Sequence, residues 1–302
     1  MARRFYTLDV FTNQPMHGNP LAVILDSQGL DSTKMQSIAR EFNLSETVFI
    51  CSPSNPINTA KIRIFTPTKE LPFAGHPTIG TAILLATLDA PDLICGKGGV
   101  TIALEQKISV IHVNVTKHEA LGYRAVFEIP LLSQRTETEF DTQPIATALG
   151  LETDQIGFKS HTPSKWSAGV PFIMVPIKNL AAIQFIKITD SSAWSKAFGA
   201  TPVFTYTDET CDPANHVHAR MFSPAMGMVE DPATGSAAAA FSGVAVAFEQ
   251  PANGSHQLVI EQGYEMGRPS QIAVDIDVFN GAATHVRIGG SAVIISEGKL
   301  YL

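Results

Sequence analysis

The sequence is poor in cysteine, and its cysteines show no pairing pattern. Only three of the 302 residues are cysteine, and no Cys-x-x-Cys spacing occurs among Cys51, Cys95 and Cys211. A disulfide framework or a zinc site built on paired cysteines is therefore not expected. We predict three free thiols and no metal site.

The sequence also lacks a long apolar run and a cluster of basic residues. No stretch of about 18 consecutive apolar residues occurs, and no apolar segment of the signal-peptide kind follows the two arginines near the N-terminus. The formal net charge is -7, whereas nucleic acids and anionic membranes attract clustered positive charge. We therefore expect a cytoplasmic protein that acts on a small molecule and binds neither nucleic acid nor membrane.

Common cofactor and nucleophile motifs are missing as well. The chain has no Gly-x-Gly-x-x-Gly after a strand, no phosphate-binding Gly-x-x-x-x-Gly-Lys-[Ser/Thr] and no Gly-x-Ser-x-Gly elbow. Nucleotide cofactors and a serine-hydrolase mechanism are therefore not expected, and we predict no cofactor. Among the histidines only the pair His216 and His218 has a spacing that is even weakly suggestive of metal ligation.

The sequence contains enough apolar residues to form two hydrophobic cores. The chain is 45% hydrophobic and 16% charged, which suits a globular protein of two domains. Alternating segments such as FYTLDVF predict strands, whereas DSTKMQSIAREF predicts a helix capped by Asp31 or Ser32. The segment TAILLATL is apolar on all sides and predicts a buried helix. A second unit begins near IATALGL, which Asp141 and Gly150 flank.

An internal repeat links the two units. The pentapeptide RIFTP at 63–67 has a counterpart RMFSP at 220–224, 157 positions later. Each leads through a loop with glycine and proline into an alanine-rich apolar helix, which favours gene duplication. Two similar halves that face each other would bring two helix N-termini to a common cleft, where N–H groups and helix dipoles favour a bound anion.

His76 lies at the first of these helix starts and has two interpretations. As a structural residue it would be the N-cap, with Pro77 at the first helical position. Histidine is a poor N-cap compared with serine, threonine, aspartate or asparagine, so capping does not explain its presence. The residues by themselves leave a chemical role for His76 open.

The second helix start carries Asp231 and three small residues. Asp231 followed by proline is ordinary helix-start chemistry. If the helix begins a turn later, at Gly235 and Ser236, Asp231 is free for another role. The backbone N–H groups of Thr234, Gly235 and Ser236 could then hold a carboxylate.

Glu46 lies between a predicted helix and an apolar strand. At the head of a buried strand, desolvation would raise the pKa of its carboxyl group, which suits a group that takes and returns a proton near neutral pH. The alternative, favoured by the residues alone, is that Ser45 and Glu46 close a turn at the surface.

Five motifs in register resemble the phenazine-biosynthesis PhzF family. The matches run in order from about residue 5 to residue 272, and the segment at 289–290 also fits. The motifs are DVFTNQPMHGNPLAVILD, AREFNLSETVFI, IRIFTPTKELPFAGHPTIGTA, RMFSPAMGMVEDPATGSAAAA and QGYEMGRPSQI. This family is similar to diaminopimelate epimerase.

The resemblance implies an α+β fold of the diaminopimelate epimerase kind. It has two similar halves related by a pseudo-twofold axis, each a β-barrel-like sheet around a central helix, with the active site in the cleft between them. We expect an N-terminal half over 1–125, joined by the C-terminal strand at 292–302, and a C-terminal half over 126–291. A homodimer is also implied.

The resemblance also implies roles for the site residues. Glu46 matches the general acid/base, while His76 and Asp231 match polar residues that orient the substrate and assist proton movement. The matched substrate-binding positions are Asn19, Ser45, Gly75, Thr234, Gly235 and Ser236.

The related epimerases and proline racemases use two cysteines, one in each half. Here those positions carry Gly75-His76 and Ala233-Thr234, so a carboxylate-centred mechanism replaces the two-thiol one.

We therefore expect a cofactor-independent isomerase that moves a proton between carbons of a small cyclic or unsaturated carboxylate, similar to a dihydro-hydroxyanthranilate. Two alternatives stay open. One is an amino-acid or hydroxy-acid racemase or epimerase without the cysteine pair, and the other is a non-catalytic interaction protein on the same fold.

Overall fold

The chain divides into two compact units. The computed structural model describes residues 2–94, 98–118, 122–226 and 228–302, with the backbone alone at Met226. Unit 1 comprises Met1–Pro130 together with Ile288–Leu302, and unit 2 comprises Leu131–Arg287. The C-terminal strand thus returns to the first unit. Cys95 lies outside the described residues.

Unit 1 consists of short strands and one long apolar helix. Its described elements are β1 (Ala2–Val10), β2 (Asn19–Ile24), α1 (Ser32–Phe42), β3 (Glu46–Cys51), β4 (Ala60–Phe65), β5 (Glu70–Leu71), α2 (Gly75–Asp89), α3 (Pro91–Ile94), β6 (Val100–Glu105), β7 (Val110–His118), β8 (Gly122–Glu128) and the C-terminal part of β17 (Ala282–Tyr301).

Eight of these strands close into a barrel around α2. Strands β1 and β2, β3 and β4, β6 and β7, and β7 and β8 pair antiparallel, while β2 and β3, and β4 and β6, pair parallel. Strand β17 closes the ring, because it pairs with both β1 and β8. Closure leaves the barrel without a free edge. Helix α2 packs against at least six of the eight strands.

The composition of α2 explains how a helix fits inside this barrel. All of its residues from 75 to 86 are buried, so no polar face is needed. At Gly80 a Cβ atom would lie 2.6 Å from a Leu21 methyl and 2.7 Å from a Val10 methyl. The missing side chain therefore lets β1 and β2 pack directly against the helix.

Unit 2 repeats this plan. Its described elements are β9 (Gln134–Thr136), α4 (Thr142–Leu149), β10 (Ser164–Ser167), β11 (Pro171–Pro176), α5 (Leu180–Phe185), α6 (Ser191–Phe198), β12 (Val203–Thr207), β13 (Val217–Ser223), β14 (Met228–Asp231), α7 (Gly235–Glu249), β15 (Gly254–Gln262), β16 (Ser270–Phe279) and the N-terminal part of β17, with short 3-10 turns at Thr153–Gln155, Pro224–Met226 and Tyr264–Met266.

The strand pairing confirms the duplication that the pentapeptides predict. The order antiparallel, parallel, antiparallel, parallel, antiparallel runs through β1-β2-β3-β4-β6-β7 and again through β10-β11-β12-β13-β15-β16. Helices α2 and α7 are each 15 residues long and occupy the same place in that order.

The repeated pentapeptides supply the same ion pair in each unit. Arg63 donates from Nε and Nη2 to the two Glu70 oxygens at 2.7 and 2.8 Å. Arg220 donates in the same way to Glu230 at 2.8 and 2.9 Å. Such a two-pronged pair fixes the short strand that follows against β4 or β13. The repeat therefore preserves both the fold and its polar contacts.

Local capping signals confirm two of the predicted helices. Asp31 caps α1 through its side chain, which accepts a hydrogen bond from the N–H of Lys34. Helix α4 begins after Asp141 and ends at Gly150, whose φ is 70°. These caps are local, so the sequence predicts them well. Over the described parts of the chain, the helices are all too short or too polar to span a membrane.

Candidate functional site

Unit 1 brings together three predicted site residues: Asn19, Glu46 and His76. Glu46 is the first residue of β3, and 12% of its side chain is exposed. Its Oε2 lies 3.4 Å from Nε2 of His76, whose side chain is 4% exposed. Asn19 is fully buried, and its Nδ2 lies 3.5 Å from Nδ1 of His76. The tertiary structure therefore places Glu46 beside a buried imidazole.

Of the two interpretations of His76, the structural one as an N-cap is wrong. Helix α2 begins at Gly75 with Ala74 at the N-cap, so His76 is the second helical residue and Pro77 the third. The first four N–H groups of a helix have no partner within the helix, so proline is tolerated there. Ala74 offers no capping side chain. The helix starts where it does because its apolar residues enter the barrel.

His76 is a neutral imidazole in this environment. Burial lowers its pKa to about 3, although a hydrogen bond to the backbone of Pro20 acts in the opposite direction. Proline has no N–H, so the carbonyl of Pro20 accepts from the ring. Nε2 makes no hydrogen bond to any described residue. We therefore assign the proton to Nδ1, which donates to Pro20, so the Asn19 amide group 3.5 Å away does not donate to the ring. The Nε2 lone pair then faces Glu46.

Ser45 and Gly75 lie next to these groups. Ser45 directly precedes Glu46 and is half-buried, whereas Gly75 is buried at the start of α2. The loop that leads to Asn19 is held by Asp9, whose carboxylate accepts a 2.7 Å hydrogen bond from the N–H of Met16. In unit 1 the predicted site residues thus lie at the starts of β2 and β3 and in the first turn of α2.

Unit 2 brings together the predicted residues around Asp231. Helix α7 begins at Gly235 with Thr234 at the N-cap, which confirms the later of the two predicted starts. Asp231 is the last residue of β14, and its carboxylate accepts a 2.6 Å hydrogen bond from the Thr234 hydroxyl. Asp231, Thr234 and Gly235 are buried, while Ser236 is half-buried.

Gln262, which was not among the predicted site residues, organises this loop. Its side-chain N–H groups donate to the Asp231 carbonyl at 2.6 Å and to the Thr234 hydroxyl at 3.2 Å. Its Oε1 accepts from the N–H of Thr234 at 3.1 Å. In unit 1 the counterpart Gln106 donates to the Thr78 hydroxyl in α2 at 2.8 Å. The dipeptide Glu-Gln, repeated at 105–106 and 261–262, is the pattern in the sequence from which a role for Gln262 could have been predicted.

The described cysteines lie outside both helix-start loops. Cys51 is the last residue of β3, and burial raises the pKa of its thiol. Cys211 is an exposed residue between β12 and β13. Both are free thiols, as predicted. The loops that would carry a two-thiol acid–base pair hold no cysteine.

Comparison with known proteins identifies the family. A model of the phenazine biosynthesis-like protein family, PhzC-PhzF, matches residues 8–298. The chain therefore belongs to this family, as the motifs indicate, and it has the family's α+β fold.

Its relatives include isomerases named for a substrate and isomerases named as uncharacterized. The chain is 46% identical over 309 residues to an uncharacterized isomerase of Mesorhizobium japonicum, with 99% of each chain covered. It is 30% identical over 301 residues to trans-2,3-dihydro-3-hydroxyanthranilate isomerase of Pseudomonas aeruginosa, again with 99% of each covered. A solved PhzF-family structure from Bacillus anthracis matches with a TM-score of 0.89 and 25% identity over 100% of both chains. The chain is an isomerase.

Proposed function

We propose that the chain isomerises a small cyclic, unsaturated carboxylate by moving one proton between two carbons, with Glu46 as the acid and base. The observation that carries this proposal is the pairing of the Glu46 carboxyl with the neutral, buried imidazole of His76, 3.4 Å apart. The named activity of the Pseudomonas aeruginosa relative, on trans-2,3-dihydro-3-hydroxyanthranilate, supports the substrate class.

The proposed proton transfer uses one base twice. Glu46 as a carboxylate removes a proton from a carbon that an adjacent unsaturated system makes acidic. The electron pair of the broken C–H bond delocalises over that system, and protonated Glu46 returns the proton at another carbon. The carboxylic acid formed in between can donate to the free Nε2 lone pair of His76 and so be held in place. A cationic imidazole could not accept that hydrogen bond.

Asp231, Thr234, Gly235 and Ser236 are proposed to bind the polar groups of the substrate. The N–H of Thr234 already donates to Gln262, so it is not the donor to substrate that the sequence suggests. The N-cap Thr234 makes no side-chain cap hydrogen bond to any described residue, and the N–H groups of Gly235 and Ser236 are the proposed donors. Backbone donors at a helix N-terminus suit a carboxylate. Asp231, by contrast, is proposed to accept a hydrogen bond from an amino or hydroxyl group of the substrate.

Replacement of Glu46 tests this proposal. Glu46→Gln keeps the size of the side chain and removes its ability to carry a proton, so turnover should fall by about 10²–10⁴-fold. Deuterium incorporation from heavy water into turned-over substrate should disappear in parallel. The test substrate is trans-2,3-dihydro-3-hydroxyanthranilate, followed by NMR.

Glu41→Gln is the matched control, because Glu41 is an exposed carboxylate on α1. It should exchange deuterium at the wild-type rate, and both variants should unfold at the wild-type temperature. Wild-type exchange in Glu46→Gln would refute the assignment.

The racemase alternative predicts a different product. A racemase inverts one stereocentre. An L-amino acid or hydroxy acid would therefore lose its optical rotation, and no double bond would move. The absence of cysteine from both helix-start loops argues against it. A panel of such acids, assayed by chiral chromatography with wild-type protein, distinguishes the two reactions. A protein that turns over neither class would favour the non-catalytic alternative.

That the protein forms a homodimer remains a prediction.

A further inference from the structure

A cluster of ionisable side chains in unit 2 has no part in the proposed reaction. His218 is the second residue of β13 and is fully buried. Its Nδ1 lies 2.7 Å from Oε1 of Glu261 and 3.8 Å from Sγ of Cys211. Its Nε2 lies 2.9 Å from Oε1 of Glu265. A thiol, an imidazole nitrogen and a carboxylate oxygen, from Cys211, His218 and Glu261, all lie within 4.8 Å of one another.

The arrangement of these groups matches a metal site, which has ligands that bind the ion and further groups that hold those ligands in place. One ligand atom each from Cys211, His218 and Glu261 lies within 4.8 Å of the other two. Zinc sites with an open fourth position use three protein ligands with bonds of about 2.0–2.3 Å. The other nitrogen of His218 faces Glu265. A ligating histidine almost always donates its second N–H to a carboxylate or carbonyl, which fixes the ring. Glu265 is placed for that role.

The backbone around the cluster is held independently of any metal. The carboxylate of Glu261 accepts from the N–H groups of Cys211 and Asp212 at 2.5 and 3.1 Å and from the Asn215 side chain at 2.7 Å. The loop that carries Cys211 is therefore fixed against β15. Preorganised ligands reduce the entropy that is lost on binding.

Unit 1 contains the same set of hydrogen bonds from a glutamate to a loop, but it lacks the cysteine and the histidine. Glu105 accepts from the N–H groups of Ser54 and Asn55 at 2.8 Å each and from the Asn58 side chain at 2.9 Å. Strand β6 pairs Glu105 with Lys61, as β15 pairs Glu261 with His218. Serine and lysine thus occupy the positions where unit 2 has cysteine and histidine. The hydrogen bonds that both units share account for the presence of the glutamate and its loop. They do not require Cys211 or His218.

We propose that Cys211, His218 and Glu261 form a binding site for a thiophilic divalent cation of the zinc type, with Glu265 orienting His218. Thiolate and imidazole ligands select zinc or cobalt over magnesium or calcium, which prefer all-oxygen sites. On binding, the cation replaces the protons on Sγ and Nδ1, and the ion pair between His218 and Glu261 opens to admit it. Cys211 is exposed and gives the ion a route from solvent. The bound ion would join the loop at 211–215 to β13 and β15.

Cobalt titration of the full chain tests this site. The protein is first stripped with a chelator and then titrated with Co²⁺, whose thiolate charge-transfer band in the near ultraviolet reports a Co–S bond. The expected result is one equivalent of Co²⁺ with that band, displaced by Zn²⁺. Cys211→Ser should abolish the band and weaken Zn²⁺ binding at least about tenfold. Glu265→Gln should keep the band and weaken binding by about tenfold.

Cys51→Ser is the matched control, because it removes the other described thiol and leaves the cluster intact. It should bind Co²⁺ as the wild type does. Cys211→Ser is expected to fold, since serine occupies the corresponding position, Ser54, of unit 1. A wild-type protein without the charge-transfer band, or a band that survives in Cys211→Ser, would overturn the proposal. A Zn²⁺ affinity that is equal in Cys211→Ser and the wild type would also overturn it.

Discussion

His76 has the chemistry of a hydrogen-bond acceptor rather than of a cation. Its ring lies inside the unit-1 barrel at the first turn of α2, and burial lowers its pKa to about 3. Because the His76 ring is neutral at physiological pH, it forms no ion pair with Glu46. The proposed proton transfer to and from Glu46 would then not compete with a fixed positive charge on the ring.

The buried imidazole also predicts a pH dependence of stability. In the unfolded chain His76 takes up a proton below about pH 6.5, whereas in the folded chain it stays neutral down to about pH 3. The unfolded state therefore binds more protons as the pH falls. From pH 6 to pH 4 this histidine should lower the free energy of unfolding by about 2 kcal/mol.

Urea unfolding at both pH values measures the effect. His76→Gln cannot titrate, so it should lose about 2 kcal/mol less than the wild type over this interval. His112→Gln, at an exposed position on β7, should follow the wild type. Parallel losses in the wild type and His76→Gln would show that the ring is not held neutral.

At the scale of elements, the same arginine–glutamate pair has different surroundings in the two units. Arg63 is 22% exposed and Glu70 16%, whereas Arg220 is 8% exposed and Glu230 14%. Arg220 also donates from Nη1 to the carbonyls of Ile183 and Ile186, at 3.0 and 3.1 Å. The unit-2 arginine therefore joins β14 and the end of α5 to β13.

Replacement of each arginine by methionine should show this difference. Arg220→Met leaves a half-buried carboxylate and two buried carbonyls without their donor, and should lower the free energy of unfolding by roughly 3 kcal/mol. Arg63→Met should cost about 1 kcal/mol, because water can replace its partner more readily. Urea unfolding at neutral pH compares the two variants. Equal losses would contradict the role assigned to the α5 carbonyls.

The elements show which signals in the sequence are local. Asp31 and Asp141 cap their helices with their own side chains, so the sequence predicts both helix starts. Helix α2 has no such cap, and it begins at Gly75, two residues before the start at Pro77 that the N-cap interpretation of His76 implies. Burial of an apolar helix in a barrel fixes that start, and a single-residue signal cannot report it.

At the scale of the whole molecule, unit 1 is discontinuous in sequence and unit 2 is continuous. Residues 288–302 return to unit 1, where β17 lies between β1 and β8. Without this strand two barrel edges would be unpaired and the core around α2 open.

Fragments of the chain test this dependence. Fragment 131–287 contains every residue of unit 2 and should unfold cooperatively in urea by circular dichroism. Fragment 1–130 should not, because it lacks β17. A synthetic peptide of residues 288–302 should restore its cooperative unfolding, and a scrambled peptide should not. Cooperative unfolding of fragment 1–130 by itself would contradict the closing role of β17.

The sequence by itself determined the family, the duplicated plan and the residue types at each helix start. Periodicity, caps and repeated motifs are local or self-similar patterns, and they survive in one dimension. Only the tertiary structure decided that Glu46 lies beside a neutral His76, that Gln262 organises the Asp231 loop, and that Cys211, His218 and Glu261 converge. Those contacts join residues that are distant in sequence through strand register and burial, and neither is encoded at any one position.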